Sequence, residues 1–88
     1  MKLFKLYTEN KDYDKIMRIL YTHLGNKSGF TVTRTEGHYE GKMEHGLVID
    51  IMSAHVSVIY AAAYDIKKVN KQKSVLVVAI PCEVKFVQ

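Results

Sequence analysis

The residues best suited to chemistry lie close together, in the stretch TEGHYEGKMEHG at 35–46. It holds three glycines, two histidines, one tyrosine and three glutamates. The segments on either side have the residue pattern of plain β-strands. Three interpretations are therefore open: a metal site, a ligand-binding loop, or a hairpin turn without further function.

A metal site would use the side chains of His38, Glu40, Glu44 and His45. Imidazole and carboxylate groups are ligands of zinc and other divalent ions. The spacing of these residues matches no established ligand motif, and the single cysteine, Cys82, leaves no cysteine-based zinc site. The sequence therefore predicts neither a metal ion nor another cofactor.

Hydrolytic catalysis is the next alternative. The four serines are scattered, and none lies in the strand–turn–helix context of an activated nucleophile. Carboxylates in and near the stretch could form an acid–base pair, since a strand–turn–strand brings them close together; they are Glu36, Glu40, Glu44 and Asp50. A small hydrolase thus stays an alternative, but no pattern in the sequence indicates an enzyme.

Ligand binding uses more of the stretch. Gly37 and Gly41 permit positive backbone angles and a close approach of main-chain amides to a ligand. The ring of Tyr39 can lie on a base, basic side chains can face phosphates, and Glu44 can accept hydrogen bonds from ribose hydroxyls or an adenine amine. The predicted ligand-binding residues are Arg34, His38, Tyr39, Lys42, Glu44, Asn70, Lys71 and Gln72, with Lys73 as a further phosphate contact.

The elements that must position these residues follow from periodicity. The 88 residues suffice for a single domain, 1–88. Asn10 is predicted to cap a helix over 12–24 that Gly25 ends, and a second helix covers 54–70. Strands are predicted over 2–8, 29–36, 45–52 and 74–80, with a short extra strand over 82–88.

This order, β-α-β-β-α-β, predicts an α+β ferredoxin-like fold, an antiparallel sheet of strand order 4-1-3-2 with both helices on one face. The other face is predicted to carry Tyr7, Thr33, Thr35, Val48, Asp50 and Met52. The strand over 74–80 is apolar on both faces yet lies at an edge, and the second helix is apolar nearly all round. Both features predict a homo-oligomer, in which the C-terminal segment or a neighbouring subunit covers the edge.

Charge and composition restrict the partners. The net charge is +4, with much of the excess in 66–73, which favours anionic partners. Nucleic acid is disfavoured, because only Tyr7 on the predicted open face could stack on a base. The sequence contains no signal peptide and no membrane span, so the prediction is a soluble protein of a reducing cytoplasm.

Two short motifs resemble a set of small, mostly uncharacterised ferredoxin-like proteins of phages and their bacterial hosts. The first is Gly-x-aromatic-x-Gly-x-x-Glu, formed by Gly37, Tyr39, Gly41 and Glu44. The second is Asn-x-Gln, formed by Asn70 and Gln72 after Lys67 and before a strand. Where those proteins often have tryptophan, this chain has Tyr39, which offers a smaller stacking area.

The resemblance implies an oligomer similar in topology to the nucleotide-binding PII signalling proteins. It also implies a role: a phage-encoded sponge, active in the host cytoplasm, that sequesters a nucleotide immune signal such as a cyclic nucleotide or an ADP-ribose derivative. The site would lie between subunits, where the 37–44 loop of one chain meets the helix end near 67–73 of another. The alternatives are a module that inhibits a host protein and a small hydrolase acting on a nucleotide.

Overall fold

The computed structural model describes residues 1–25 and 28–87. Its elements are β1 (Lys2–Glu9), α1 (Tyr13–Leu24), β2 (Phe30–Tyr39), β3 (Lys42–Ser53), α2 (Val56–Asn70) and β4 (Leu76–Pro81). The strands form an antiparallel sheet in the order β2-β3-β1-β4. The predicted ferredoxin-like α+β fold and its strand order are confirmed.

The N-cap of helix α1 lies two residues after the predicted one. Asp12 and not Asn10 is the N-cap, and its carboxylate accepts a hydrogen bond from the backbone N–H of Lys15 at 3.2 Å. Asn10 donates its own backbone N–H to the carbonyl of His45 at 3.0 Å and is therefore still held against β3. Gly25 ends the helix with a positive φ of 54°, but its ψ of −131° lies outside the left-handed helical region usual for a glycine at this position.

Both helices pack on one face of the sheet, and the hydrophobic core lies between these two layers. Alternate residues of the central strands β1 and β3 point into it, as the two-residue period of a strand requires. The helices contribute residues at a spacing of three and four. The largest fully buried side chains are Phe4, Leu6, Ile16, Leu20, Leu24, Leu47, Ile49, Ile51, Ile59 and Ile66.

Helix α2 carries large side chains on both its buried and its solvent side. Ile59, Ala63 and Ile66 are buried, whereas Val56 at the start of the helix is exposed. Tyr60 and Tyr64, on the solvent side, are more than half exposed. Within the described residues, neither helix is long and apolar enough to cross a membrane.

The face of the sheet without helices, here the open face, is largely apolar. Cross-strand pairing places Tyr7 beside Val48 and Val48 beside Thr33, as predicted for this face. Lys5 and Asp50 form an ion pair at 3.0 Å in its middle. The hydrogen bond and the charge of Asp50 raise the pKa of Lys5 above its ordinary value of 10.5. The apolar residues of the open face are Leu3, Tyr7, Val48, Met52, Leu76, Val78 and Ile80.

The stretch predicted as a glycine-rich loop over 37–44 is a β-hairpin. β2 and β3 continue to Tyr39 and Lys42, which face each other across the strands. The two residues between them, Glu40 and Gly41, have positive φ angles of 52° and 75°, as in a type I′ turn. Gly37 was predicted to permit a positive φ, but it does not adopt one and lies in β2 opposite Glu44 with ordinary extended geometry.

The predicted C-terminal strand does not form over 82–87, and Gln88 lies outside the described residues. The pairing of β1 with β4 sets Lys2 opposite Pro81. The backbone N–H of Cys82 still reaches the carbonyl of Met1, at 3.4 Å. Residues after Cys82 lie beyond the first residue of β1, so none of the described strands is beside them to pair with.

Candidate ligand-binding cleft

A concave surface, here the hairpin cleft, lies between the β2–β3 hairpin, the end of β1 and the segment that follows α2. It has two adjoining compartments. The sheet compartment, of about 280 Å³, lies on the open face and is lined by Tyr7, Thr35, Gly37 and Gly46 among others. The lysine compartment, of about 370 Å³, is lined by Lys11, Tyr39, Lys71 and Lys73. Glu9, Glu44, Gln72 and Ser74 line both compartments.

The hairpin places Tyr39 and Glu44 in the cleft. Residues opposite each other in antiparallel strands point to the same side, and residues two apart in one strand share that side. The pairs Tyr39–Lys42 and Gly37–Glu44 therefore continue the open face beyond the helices. Tyr39 is 69% exposed, so its ring is free to contact a ligand.

The end of α2 supplies the ammonium groups. Lys71 adopts a left-handed conformation with φ 53°, and its N–H donates to the carbonyls of the last helical turn. This conformation ends the helix and directs the chain along the cleft toward β4. Neither Lys71 nor Lys73 forms an ion pair with a carboxylate of the described residues, whereas Lys11 pairs with Glu9 at 3.0 Å.

A buried amide network fixes the back of the cleft. Asn70 is 2% exposed, and its side-chain nitrogen donates to Gln72 Oε1 at 2.7 Å, to the carbonyl of Glu9 at 2.8 Å and to Thr8 Oγ1 at 3.0 Å. Turning the amide over would set its oxygen against two acceptors, the carbonyl of Glu9 and Gln72 Oε1, so the observed orientation is the favourable one. Gln72 also donates to the carbonyl of Ser74 at 2.6 Å. The network joins the ends of β1 and α2 to the approach of β4.

The structure brings together half of the residues predicted to bind a ligand. Tyr39, Glu44, Lys71 and Gln72 line the cleft, with Lys73 beside them. They meet within a single chain, whereas the prediction placed the hairpin and the helix end on different subunits. The two parts meet because the strand order sets the end of β1 between the hairpin and the end of α2.

The other predicted residues lie elsewhere. Arg34 is on the helix side of β2, where its guanidinium carbon lies 4.7 Å from the centre of the Tyr13 ring. His38 is on the same side and contacts Glu36 at 3.3 Å. Lys42 is exposed at the hairpin end, and Asn70 acts behind the cleft wall. As ligand contacts these four stay predictions, but Arg34 and His38 point away from the cleft.

The hairpin geometry also separates the groups considered for metal binding and acid–base catalysis. His38, His45 and Glu36 point to the helix side, whereas Glu44 points to the open face, so the two histidines are separated from Glu44. Across residues 1–25 and 28–87, no three histidine, cysteine or carboxylate side chains are grouped as metal ligands. The arrangement in the cleft is better suited to holding a polar anion than to moving a proton.

Sequence reasoning missed the contribution of β1. Glu9 and Lys11 lie at the cleft because β1 pairs with β3, which sets Glu9 opposite Gly46. No periodic pattern marks these two residues, since they fall where a strand ends and a turn begins. The predicted strand order could have identified these two residues, because it already placed the end of β1 next to the hairpin.

No protein-family model and no curated protein matches the chain. Solved structures of similar fold are known. A DUF3240 family protein from Shewanella baltica OS155 is similar in structure, with a TM-score of 0.71 and 20% identity, covering 99% of this chain and 94% of that one. CPII, a nitrogen regulatory PII-like protein from Thiomonas intermedia K12, has a TM-score of 0.63 and 16% identity over the same shares. Its structure holds ADP, AMP and bicarbonate. At identities this low, the TM-scores establish a shared fold and nothing more.

Proposed function

We propose that this protein binds a nucleotide-type small molecule in the hairpin cleft and holds it without chemical change. The proposal depends on one observation: Tyr39, Glu44, Lys71 and Lys73 line the same concave surface. An aromatic ring stacks on bases, ammonium groups attract phosphate, and a carboxylate accepts hydrogen bonds from amines and hydroxyls. The four side chains thus match the base, the phosphate and the sugar of a nucleotide.

The charges of the cleft support an anionic ligand. The ion pair of Lys11 with Glu9 balances one positive charge locally. Lys71 and Lys73 then face Glu44 alone among the lining carboxylates, which leaves a net positive charge. The negative charge of a phosphate would be balanced by these ammonium groups. The fold supports the same ligand class by analogy, since the structure of CPII holds ADP and AMP.

The biological role that we propose is sequestration of a nucleotide immune signal by a phage-encoded protein in the host cytoplasm. The two motifs that resemble small phage proteins meet at one place, because Tyr39 and Glu44 of the first line the cleft and Gln72 of the second forms its wall. Asn70 holds Gln72 in position. A signal in the form of a cyclic nucleotide or an ADP-ribose derivative would suit these groups.

The open face supports a homo-oligomer. Leu76, Ile80 and Met52 are exposed there, and the exposure of neighbouring apolar side chains to water is unfavourable in free energy. The charges in its middle, Lys5 and Asp50, neutralise each other at 3.0 Å. Apolar side chains around a neutralised ion pair can pack against the same residues of a second copy without repulsion, so a second copy is the occupant that we propose.

Native mass spectrometry tests the proposal directly. The full chain is mixed with a panel of cyclic dinucleotides, ADP-ribose derivatives and ordinary nucleotides, and the masses of the complexes are recorded. We expect an oligomer that gains one nucleotide mass per site and releases it unchanged on denaturation. Release of a cleaved nucleotide would favour the hydrolase alternative, and an oligomer that ignores the whole panel would contradict nucleotide binding.

A matched pair of tyrosine variants tests the site. Tyr39→Ala should weaken nucleotide binding about 5- to 150-fold, because stacking of a base on an aromatic ring contributes about 1–3 kcal/mol. Tyr60→Ala removes a tyrosine of similar exposure from the solvent side of α2 and should leave affinity unchanged. Equal affinities of the two variants would remove Tyr39 from the site.

A second candidate function is an interaction module that inhibits a host protein. The outer edge of β4, which pairs only with β1 among the described strands, favours it, because an unpaired apolar strand edge can accept a strand from a partner. A pull-down from host lysate separates the two functions. A specific host protein retained by the nucleotide-free chain, combined with failure to bind nucleotides, would favour inhibition.

A further inference from the structure

The two compartments of the hairpin cleft differ in charge. The lysine compartment contains the ammonium groups of Lys11, Lys71 and Lys73. The sheet compartment has no lysine or arginine among the described residues that line it, and its lining includes the carboxylates of Glu9 and Glu44. Since Glu9 is paired with Lys11, Glu44 is the carboxylate whose charge a ligand would meet. Glu44 lines both compartments, but only in the lysine compartment do Lys71 and Lys73 outweigh its charge, so a phosphate group is favoured there and opposed in the sheet compartment.

The sheet compartment suits an uncharged group rich in hydroxyls. The carboxylate of Glu44 accepts hydrogen bonds, and the hydroxyl of Thr35 can both donate and accept them. Tyr7, which is 40% exposed, supplies a ring surface beside them. Sugars present this combination of hydroxyl donors and apolar ring faces.

Gly37 leaves room for such a group. A Cβ atom added at this position would have one neighbour within 4 Å, the carbonyl oxygen of Glu44 at 3.8 Å. The space over the strand is therefore open to a ligand rather than filled by the protein. Gly46 differs, since a Cβ there would lie 2.9 Å from the carbonyl oxygen of Thr8.

We infer that the hairpin cleft takes a nucleoside diphosphate that carries a second sugar. The base lies on Tyr39, the diphosphate faces Lys71 and Lys73, and the second sugar enters the sheet compartment beside Glu44. The inference rests on the proposed nucleotide binding and selects between its two ligand classes. A cyclic dinucleotide has two separated phosphates, so one of them would approach the carboxylate of Glu44 when the other faces the lysines.

Calorimetric titration of the full chain with ADP, ADP-ribose and cyclic di-AMP tests this, since the three probes share adenine. ADP-ribose should bind about tenfold tighter than ADP, the gain expected from one or two hydrogen bonds to the second sugar. Cyclic di-AMP should bind at least about tenfold more weakly than ADP-ribose, because charged groups discriminate strongly when like charges meet.

Variants locate the effect. Glu44→Gln should reduce the preference for ADP-ribose over ADP to less than about threefold, because a charge-assisted hydrogen bond is lost. Gly37→Val, whose side chain would narrow the sheet compartment, should remove the same preference. Glu36→Gln is the matched control, since it removes a carboxylate on the opposite side of the same hairpin and should change none of the three affinities. Circular dichroism shows whether each variant is folded. If Gly37→Val does not fold, Glu44→Gln alone tests the position of the second sugar.

The outcomes distinguish this inference from the function on which it rests. Equal affinities for ADP and ADP-ribose, or tightest binding of cyclic di-AMP, would overturn the second-sugar assignment and leave nucleotide binding intact. Failure of all three probes to bind would overturn both. A preference for ADP-ribose that survives in Glu44→Gln and in folded Gly37→Val would also overturn it, because the sugar would then lie elsewhere.

Discussion

Replacing Asn70 by alanine removes the donor that holds the back of the cleft together. The side-chain nitrogen of Asn70 lies within 3.0 Å of acceptors on Thr8, Glu9 and Gln72, which share its two hydrogens. The hydroxyl of Thr8 also donates to Gln72 Oε1 at 2.7 Å, so Gln72 keeps one donor when the amide is lost. Because Asn70 itself is 2% exposed, alanine would remove a buried donor and would also leave a small cavity.

The expected loss of stability is large for a domain of this size. Each hydrogen bond contributes about 0.5–1.5 kcal/mol net, and each buried acceptor left unpaired costs about 1–3 kcal/mol. We therefore expect Asn70→Ala to lower the free energy of unfolding by about 2–4 kcal/mol. An 88-residue domain has roughly 4–13 kcal/mol in total, and the thermal midpoint should fall by roughly 10–30 °C.

Urea unfolding followed by circular dichroism measures this loss, with two further variants. Asn10→Ala is the control, because Asn10 bonds to His45 through its backbone and not its side chain. Asn70→Asp keeps the size but puts a carboxylate among acceptors, so it should destabilise at least as much as alanine. A loss below about 0.5 kcal/mol for Asn70→Ala, the range of ordinary surface changes, would refute the structural role of the network.

Three further variants test other parts of the structure by the same urea unfolding. Gly46→Ala should cost about 1–3 kcal/mol, because its Cβ would lie 2.9 Å from a backbone carbonyl of β1, whereas Gly37→Ala should be nearly neutral; equal effects would contradict the register. Glu40→Asn should stabilise the protein by about 0.5–1 kcal/mol, since Asn tolerates the positive φ of 52° better, and a loss would argue against the type I′ turn. Because the pKa of Lys5 is raised in the folded state, its pairing with Asp50 stabilises the fold below the unfolded pKa, near 10.5, and is lost as the pH rises through the folded value. Asp50→Asn should remove this part of the decline at alkaline pH, and parallel curves for variant and wild type would show that the pair contributes nothing.

The fold was predictable because burial imposes a period on the sequence. Ile16 and Leu20 recur at helical spacing on α1, and Leu47, Ile49 and Ile51 alternate on β3, since one side of each element faces the core. The hairpin was predicted only as one of three alternatives and its length was missed, because it extends beyond the helices and both of its sides are exposed. Without a buried side no alternation appears, and the Glu40–Gly41 turn lacks the asparagine that usually marks such hairpins.

The site was predictable only where residue type carries the information. Tyr39 and Glu44 were found through their chemistry, and both line the cleft. Arg34 and Tyr39 were assigned to one site because they are close in sequence. In a continuous strand, however, residues an odd number apart point to opposite sides. Recognising that β2 reaches Tyr39 would have placed the two side chains on opposite sides of the hairpin, so the predicted strand boundary determined how these residues were grouped.

The walls of the cleft are ordered before a ligand binds. The hairpin is fixed by a two-residue turn and by cross-strand pairs, and the opposite wall is fixed by the hydrogen bonds of Asn70 and Gln72. Ordered walls lose little conformational entropy on binding, which raises affinity. Groups held in this way accelerate a reaction only if their contacts strengthen in the transition state. The ordered cleft therefore supports the nucleotide binding that we propose, and the mass of the released ligand distinguishes storage from conversion.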